Sequence, residues 1–170
     1  RDISGEQEIR AGVSALSDEV CARMRAENRK CTVVQIQVKD PSFKTVQKQC
    51  TLSHSTWLCR EISDTAMELI RKSIGFSHPI RSLTVTASAL VPADEIHEQL
   101  DIFGGGGSDP KQEAIENAMA DIRKKFGTGS IHLGSYENAE IGIGLYGKPR
   151  KKPHHNNQLH YRGNDKICQQ

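Results

Sequence analysis

The sequence predicts an α+β fold, a four-stranded β-sheet with two helices packed on one face. Three observations predict it. Two runs between Thr32 and Leu52 alternate apolar and polar residues across a short turn. A third alternating run covers residues 80–90. Between and before these runs, residues 11–28 and 56–74 repeat their apolar residues at helical spacing.

Taken in order, residues 3–10 (ISGEQEIR) are assigned as a short first strand. Residues 11–28 follow as a helix, with Val13, Leu16, Val20 and Met24 on one face and Asp18, Glu19, Arg23, Arg25 and Glu27 mostly off it. In the next run Val34, Ile36 and Val38 alternate with Gln35, Gln37 and Lys39. Asp40-Pro41-Ser42 supplies turn chemistry, because Pro fixes φ and Asp and Ser bond nearby backbone. The returning run sets Val46, Cys50 and Leu52 against Thr45, Gln47, Gln49 and Thr51. In the helix at 56–74, Leu58, Ile62, Ala66, Leu69 and Ile70 form the stripe. Ser55 or Thr56 is its expected cap, Trp57 packs at its start, and Gly75 offers a left-handed stop. The last strand, 80–90, points Leu83, Val85 and Ala87 one way and Ser82, Thr84, Thr86 and Ser88 the other.

Residues 1–90 therefore read as one domain. Residues 91–110 read as a linker with Pro92, an acidic patch and four glycines, Gly104–Gly107. No Lys-Ser/Thr pair follows these glycines, so they are not a phosphate loop. Residues 111–135 read as a helix followed by a short strand at 131–133. The helix opens at Asp109-Pro110, carries the stripe Ile115, Ala118, Met119, Ile122 and Phe126, and ends at Gly127. In 136–170, Lys148, Arg150, Lys151, Lys152, Arg162 and Lys166 outnumber Asp165, a basic tail expected to lack fixed structure. A start at Arg1 without Met is read as part of a longer chain.

Net charge is only +2, so the chain is not a polycation. Five cysteines in an odd set with no CxxC pair suit free thiols in a reducing, cytoplasmic setting. No apolar run is long enough to cross a bilayer and no signal peptide pattern opens the chain, so no membrane partner is expected. Catalytic chemistry has no visible seat: nucleophile elbow, P-loop and metal-spaced ligands are all missing. His154, His155, His160 and Cys168 have no closed zinc-site spacing. Asp2, Glu6, Asp40 and Asp64 do not form the acid cluster that two-metal chemistry needs.

FKTVQKQCTL at 43–52, IRSLTVTASAL at 80–90, QLDIF at 99–103 and AMADIRKKFGTGSI at 118–131 occur in an order and spacing that resemble the C-terminal region of bacterial Y-family translesion DNA polymerases. Residues 4–90 are similar to that family's little finger domain and 91–135 to the tail after it. The resemblance implies a role in translesion synthesis and DNA repair, with the open sheet face along primer-template duplex DNA, contacting phosphates. Carried over by position, the DNA-binding residues are Thr45, Gln47, Lys48, Gln49 and Thr51 on one strand and Arg81, Ser82, Thr84, Thr86 and Ser88 on the last. The family often has Thr-Arg where this chain has Gln47-Lys48, and Lys48 falls on the apolar parity of its strand, so weak DNA affinity is expected. Gln99, Leu100, Asp101, Ile102 and Phe103 resemble the pentapeptide by which bacterial polymerases bind the sliding clamp. The family's catalytic carboxylates and their magnesium ions belong to a palm domain with no counterpart here, so no cofactor is expected in this chain.

Three other readings stay open at this point. An RNA-binding domain with the same element order needs aromatic residues on the exposed strands, and this face offers Gln, Thr and Ser. A hydrolase or transferase needs a site that is not visible. A module that binds only the sliding clamp would lack duplex affinity.

Overall fold

In the computed structural model, residues 2–95, 110–127 and 130–131 are described. Helix α1 (Glu6–Ala26) leads into strand β1 (Arg29–Lys39) and strand β2 (Thr45–Thr56). Helix α2 (Cys59–Ser73), strand β3 (Ser82–Pro92), a 3-10 turn (Ala93–Glu95) and helix α3 (Pro110–Phe126) follow. The sheet is antiparallel, in the order β2-β1-β3.

The α+β architecture is as expected, but the described sheet has three strands and not four. Residues 3–10 do not form a strand. Ile3 alone bridges Ile80, exchanging two backbone bonds of 2.9 and 2.8 Å. Gly5 then turns the chain at φ +82, and Glu6-Gln7-Glu8 begin α1, with acids favourably placed at the helix's positive end. Ile9 extends the stripe of Val13 one turn earlier than expected.

Both helices cover the same face of the sheet, α1 on β1 and β3 and α2 on β1 and β2. Their core joins Ile9, Val13 and Met24 of α1 and Ile62, Ala66 and Ile70 of α2 to Val34, Ile36 and Val38 of the central strand. Each large aliphatic side chain fully buried there stabilises the fold by about 1.5–3 kcal/mol. Cys21, Cys31 and Cys59 are packed in this core as free thiols, whereas Cys50 is exposed on the edge strand β2. Burial pushes the Cys31 thiol up to about 11. Cys168 lies outside the described residues.

Helix α2 begins at Cys59, three residues later than 56. Thr56 ends β2 buried, and its hydroxyl accepts the Leu58 N–H at 3.0 Å, so it caps no first-turn donor. The first-turn N–H of Cys59 goes instead to the Glu116 carboxylate, at 3.1 and 3.0 Å to its two oxygens. At the other end Gly75 (φ +70) donates to the Ile70 carbonyl at 3.0 Å, the left-handed stop the sequence predicted.

Helix α3 docks on the helix side through polar groups. Glu116 pairs with Arg25, and these side chains are only 4% and 11% exposed. Trp57 Nε1 donates to Glu113 at 2.9 Å, with Lys30 3.8 Å from the same carboxylate and 5.0 Å over the indole. Trp57 thus packs at the start of α2, as expected. Arg123 pairs with Asp18 of α1 at 2.8 Å and donates from Nε and Nη2 to the Ile131 carbonyl. Of the apolar stripe, Met119 is buried while Ile115, Ile122 and Phe126 remain exposed. The ionic anchors turn α3 so that Glu113, Glu116 and Arg123 face the domain, while Asp121 stays exposed. Of the expected strand at 131–133 only Ile131 is described, and it lies in no strand; the Asp109 cap and the basic tail lie outside the described residues.

A candidate nucleic-acid interface on the open sheet face

No described element covers the second face of the sheet. Cross-strand partners point to the same side, so the register assigns its composition. Lys39 stands between Thr45 and Ser82, and Gln37 between Gln47 and Thr84. Gln35 stands between Gln49 and Thr86, and Val33 between Thr51 and Ser88. Val33 is the sole apolar member of these four rows. The flanking residues of β2 and β3 are exposed except Ser88, which is half-buried like Gln35, Gln37 and Lys39. The rows span about 20 Å along the strands. This surface is broad, neutral to weakly cationic, free of acids, and dense in short hydroxyl and amide donors.

The structure thus brings together eight residues singled out from the sequence: Thr45, Gln47, Gln49, Thr51, Ser82, Thr84, Thr86 and Ser88. It separates Lys48, which pairs with Ile36 and therefore lies on the helix side of β2. Arg81 precedes β3 and stands at the turn end of the sheet. Its N–H donates to the Lys39 carbonyl at 2.8 Å, and its guanidinium lies 4.9 Å over the Phe43 ring and 4.0 Å from Asp2. The central strand's Gln35, Gln37 and Lys39 were not among the candidate site residues, although their alternation put them on this face. Gln99–Phe103 lie outside the described residues, between the 3-10 turn and α3. Asn28 holds the first of these, donating to Asp94 at 2.7 Å and accepting the Ala93 N–H at 3.0 Å.

The β1–β2 turn closes one end of the face and is held by its own bonds. Asp40 Oδ1 accepts the Ser42 hydroxyl at 2.7 Å and the Lys44 N–H at 2.9 Å. Backbone bonds of 3.0 Å join Asp40 N–H to the Lys44 carbonyl and Phe43 N–H to the Asp40 carbonyl. The Ser42 bond, with the backbone donors behind it, holds the Asp40 carboxyl below its ordinary range.

On the other side of the sheet, a cavity of about 650 Å³ between α1 and α3 is lined by Asp18, Arg25, Cys59, Glu116 and Arg123, where Glu116 bonds Arg25 and the Cys59 N–H and Asp18 bonds Arg123. Among the described residues no three His, Cys, Asp or Glu side chains come together as a metal site, and no helix is long and apolar enough to cross a membrane.

Two helices on one face of an antiparallel sheet, with a polar opposite face that no described element covers, define an open-faced α+β sandwich. Residues 1–102 match the C-terminal domain of the impB/mucB/samB family, and the chain belongs to that family, as the C-terminal region of a Y-family polymerase. Among its relatives is DNA polymerase IV of Acetivibrio thermocellus, 31% identical over 134 residues that make up 79% of this chain and 33% of that protein. DNA polymerase IV of Clostridium kluyveri is 31% identical over 139 residues, 79% of this chain and 34% of its own. DNA polymerase IV 1 of Bacillus subtilis is 27% identical over 134 residues, 79% of this chain and 32% of its own. The chain spans about a third of the length of these relatives.

Proposed function

We propose that this chain is the duplex-gripping part of a translesion DNA polymerase acting in DNA repair, and that its open sheet face lies along the backbone of primer-template DNA. The four uncovered polar rows carry the reading. Hydroxyl and amide groups at fixed spacing are short neutral donors for phosphate oxygens, and such contacts position a duplex without reading its sequence. Lys39 and Arg81 add charge at the turn end. Lys48, behind the face, reaches DNA only around the sheet edge. The polymerase activity and its magnesium ions belong to the palm of the parent enzyme, a DNA-directed DNA polymerase of the cytoplasm. Gln99–Phe103 serve the sliding clamp: Leu100 and Phe103 enter its pocket, and tethering raises the local concentration of the polymerase.

The test is a fluorescence anisotropy titration of the whole chain with unrelated duplexes across a salt series. Affinity should be the same for every sequence. With two cations on or beside the face, log affinity should fall against log salt with a slope of about −2. A marked sequence preference, or no duplex binding at low salt, would remove the reading.

A further inference from the structure

We infer that Phe43 stacks on an unpaired base, so that the chain recognises the junction where duplex gives way to single strand. The inference rests on the duplex-gripping reading and extends it from backbone to base. Phe43 sits at the tip of the β1–β2 turn, 64% exposed. Its backbone is left-handed, with φ +66, a conformation that Gly or Asn adopts more easily than a bulky residue. The turn bonds around Asp40 fix this backbone geometry, so the ring is held at the tip of the turn. Arg81 lies 4.9 Å over the ring, which arms the aromatic with a cation and leaves its other side to solvent. Lys44 is exposed beside it.

The location gives the partner its chemistry. The row nearest the turn is Lys39, Thr45 and Ser82, and Phe43 stands beyond it. A duplex seated on the rows meets hydroxyl and amide donors suited to phosphate, and none of the row residues is aromatic. Past the last row the surface changes to one aromatic ring with a guanidinium and an ammonium group. Ring and cation together suit the flat face and adjacent phosphate of an unstacked nucleotide of any sequence. A paired base inside the duplex keeps both faces in the stack and offers the ring nothing, so the ligand is a single-stranded extension.

The test uses the full chain and four DNA probes: a blunt duplex, two duplexes that each add a single-stranded extension at one of its ends, and the extension strand alone. Wild type should bind one of the extended duplexes more tightly than the blunt one. Phe43→Ala and Phe43→Asn should weaken binding to that probe by about five- to a hundredfold, as loss of one stacking aromatic does, and leave the blunt duplex unchanged. Phe43→Trp should keep the preference. Asn tolerates the left-handed backbone, so circular dichroism of Phe43→Asn confirms that the turn still folds. Equal wild-type affinity for blunt and extended probes, or a Phe43→Ala effect alike on both, overturns the inference and leaves the duplex reading standing. Failure to bind the blunt duplex would sink the duplex reading instead. Phe43 is then judged on the single strand, where no response to Phe43→Ala overturns it.

Discussion

The backbone N–H of Cys59 donates to the carboxylate of Glu116, 57 residues further along the chain. Helix α2 thus has a first-turn donor satisfied by α3, and the same carboxylate neutralises the largely covered Arg25. Removing one partner of a buried pair commonly costs about 3–5 kcal/mol, because a charge stays uncompensated. Here α3 can leave, which returns Arg25 to water and limits the loss to the docking energy.

Glu116→Ala is therefore expected to release α3 without unfolding the domain. Hydrogen exchange should show residues 110–127 losing protection while β1 and α2 keep theirs. The single Trp57, which gives its indole N–H to Glu113, should change its fluorescence in parallel. A large fall in global melting temperature with 110–127 still protected would contradict this account.

The three alternating runs and the two stripes were legible because each is a local pattern. Val34, Ile36 and Val38 had to share a face whatever packed on them. The docking of α3 was not legible in the same way. Its periodicity pointed to Ile115, Ile122 and Phe126 as the inner face, but partners distant in sequence, Asp18, Arg25 and Lys30, rotate Glu113, Glu116 and Arg123 inward. The start of α1 is hard to read because Ile3 does make a strand-like bridge, while Glu6-Gln7-Glu8, three residues on, already favour a helix. At the site, strand parity placed eight residues correctly on one face and flagged Lys48. The central strand's share of this face follows from the same alternation, although the family motifs lie on the two flanking strands.

Asp40 gives the turn a pH dependence. Its carboxyl is held low in the folded state, so the folded protein binds fewer protons than the unfolded chain where the unfolded group titrates, about pH 3.9. Its contribution is present above that value and disappears as pH falls through the folded one. Asp40→Ala should be less stable than wild type at pH 7, and the gap should close as the pH is lowered below about 4. A gap that stays constant down to pH 2 would mean that the carboxylate does not hold the turn.

Leu100→Ala combined with Phe103→Ala should abolish capture of the chain by the sliding clamp and leave thermal unfolding nearly unchanged. Calorimetric titration and a melting curve on the same sample decide this. A clear loss of stability would place these side chains in the core instead.

Two adjacent residues test the central claim most directly, because Gln47 and Lys48 lie on opposite sides of β2. Gln47→Glu adds one negative charge to the open face, and Lys48→Glu makes a charge change twice as large behind it. If DNA lies on the open face, duplex affinity at low salt should fall by roughly tenfold for Gln47→Glu, the loss of one charge-sensitive contact, and by clearly less for Lys48→Glu. The opposite ranking, with Lys48→Glu the more damaging, would contradict the account and move the DNA to the helix side of the sheet.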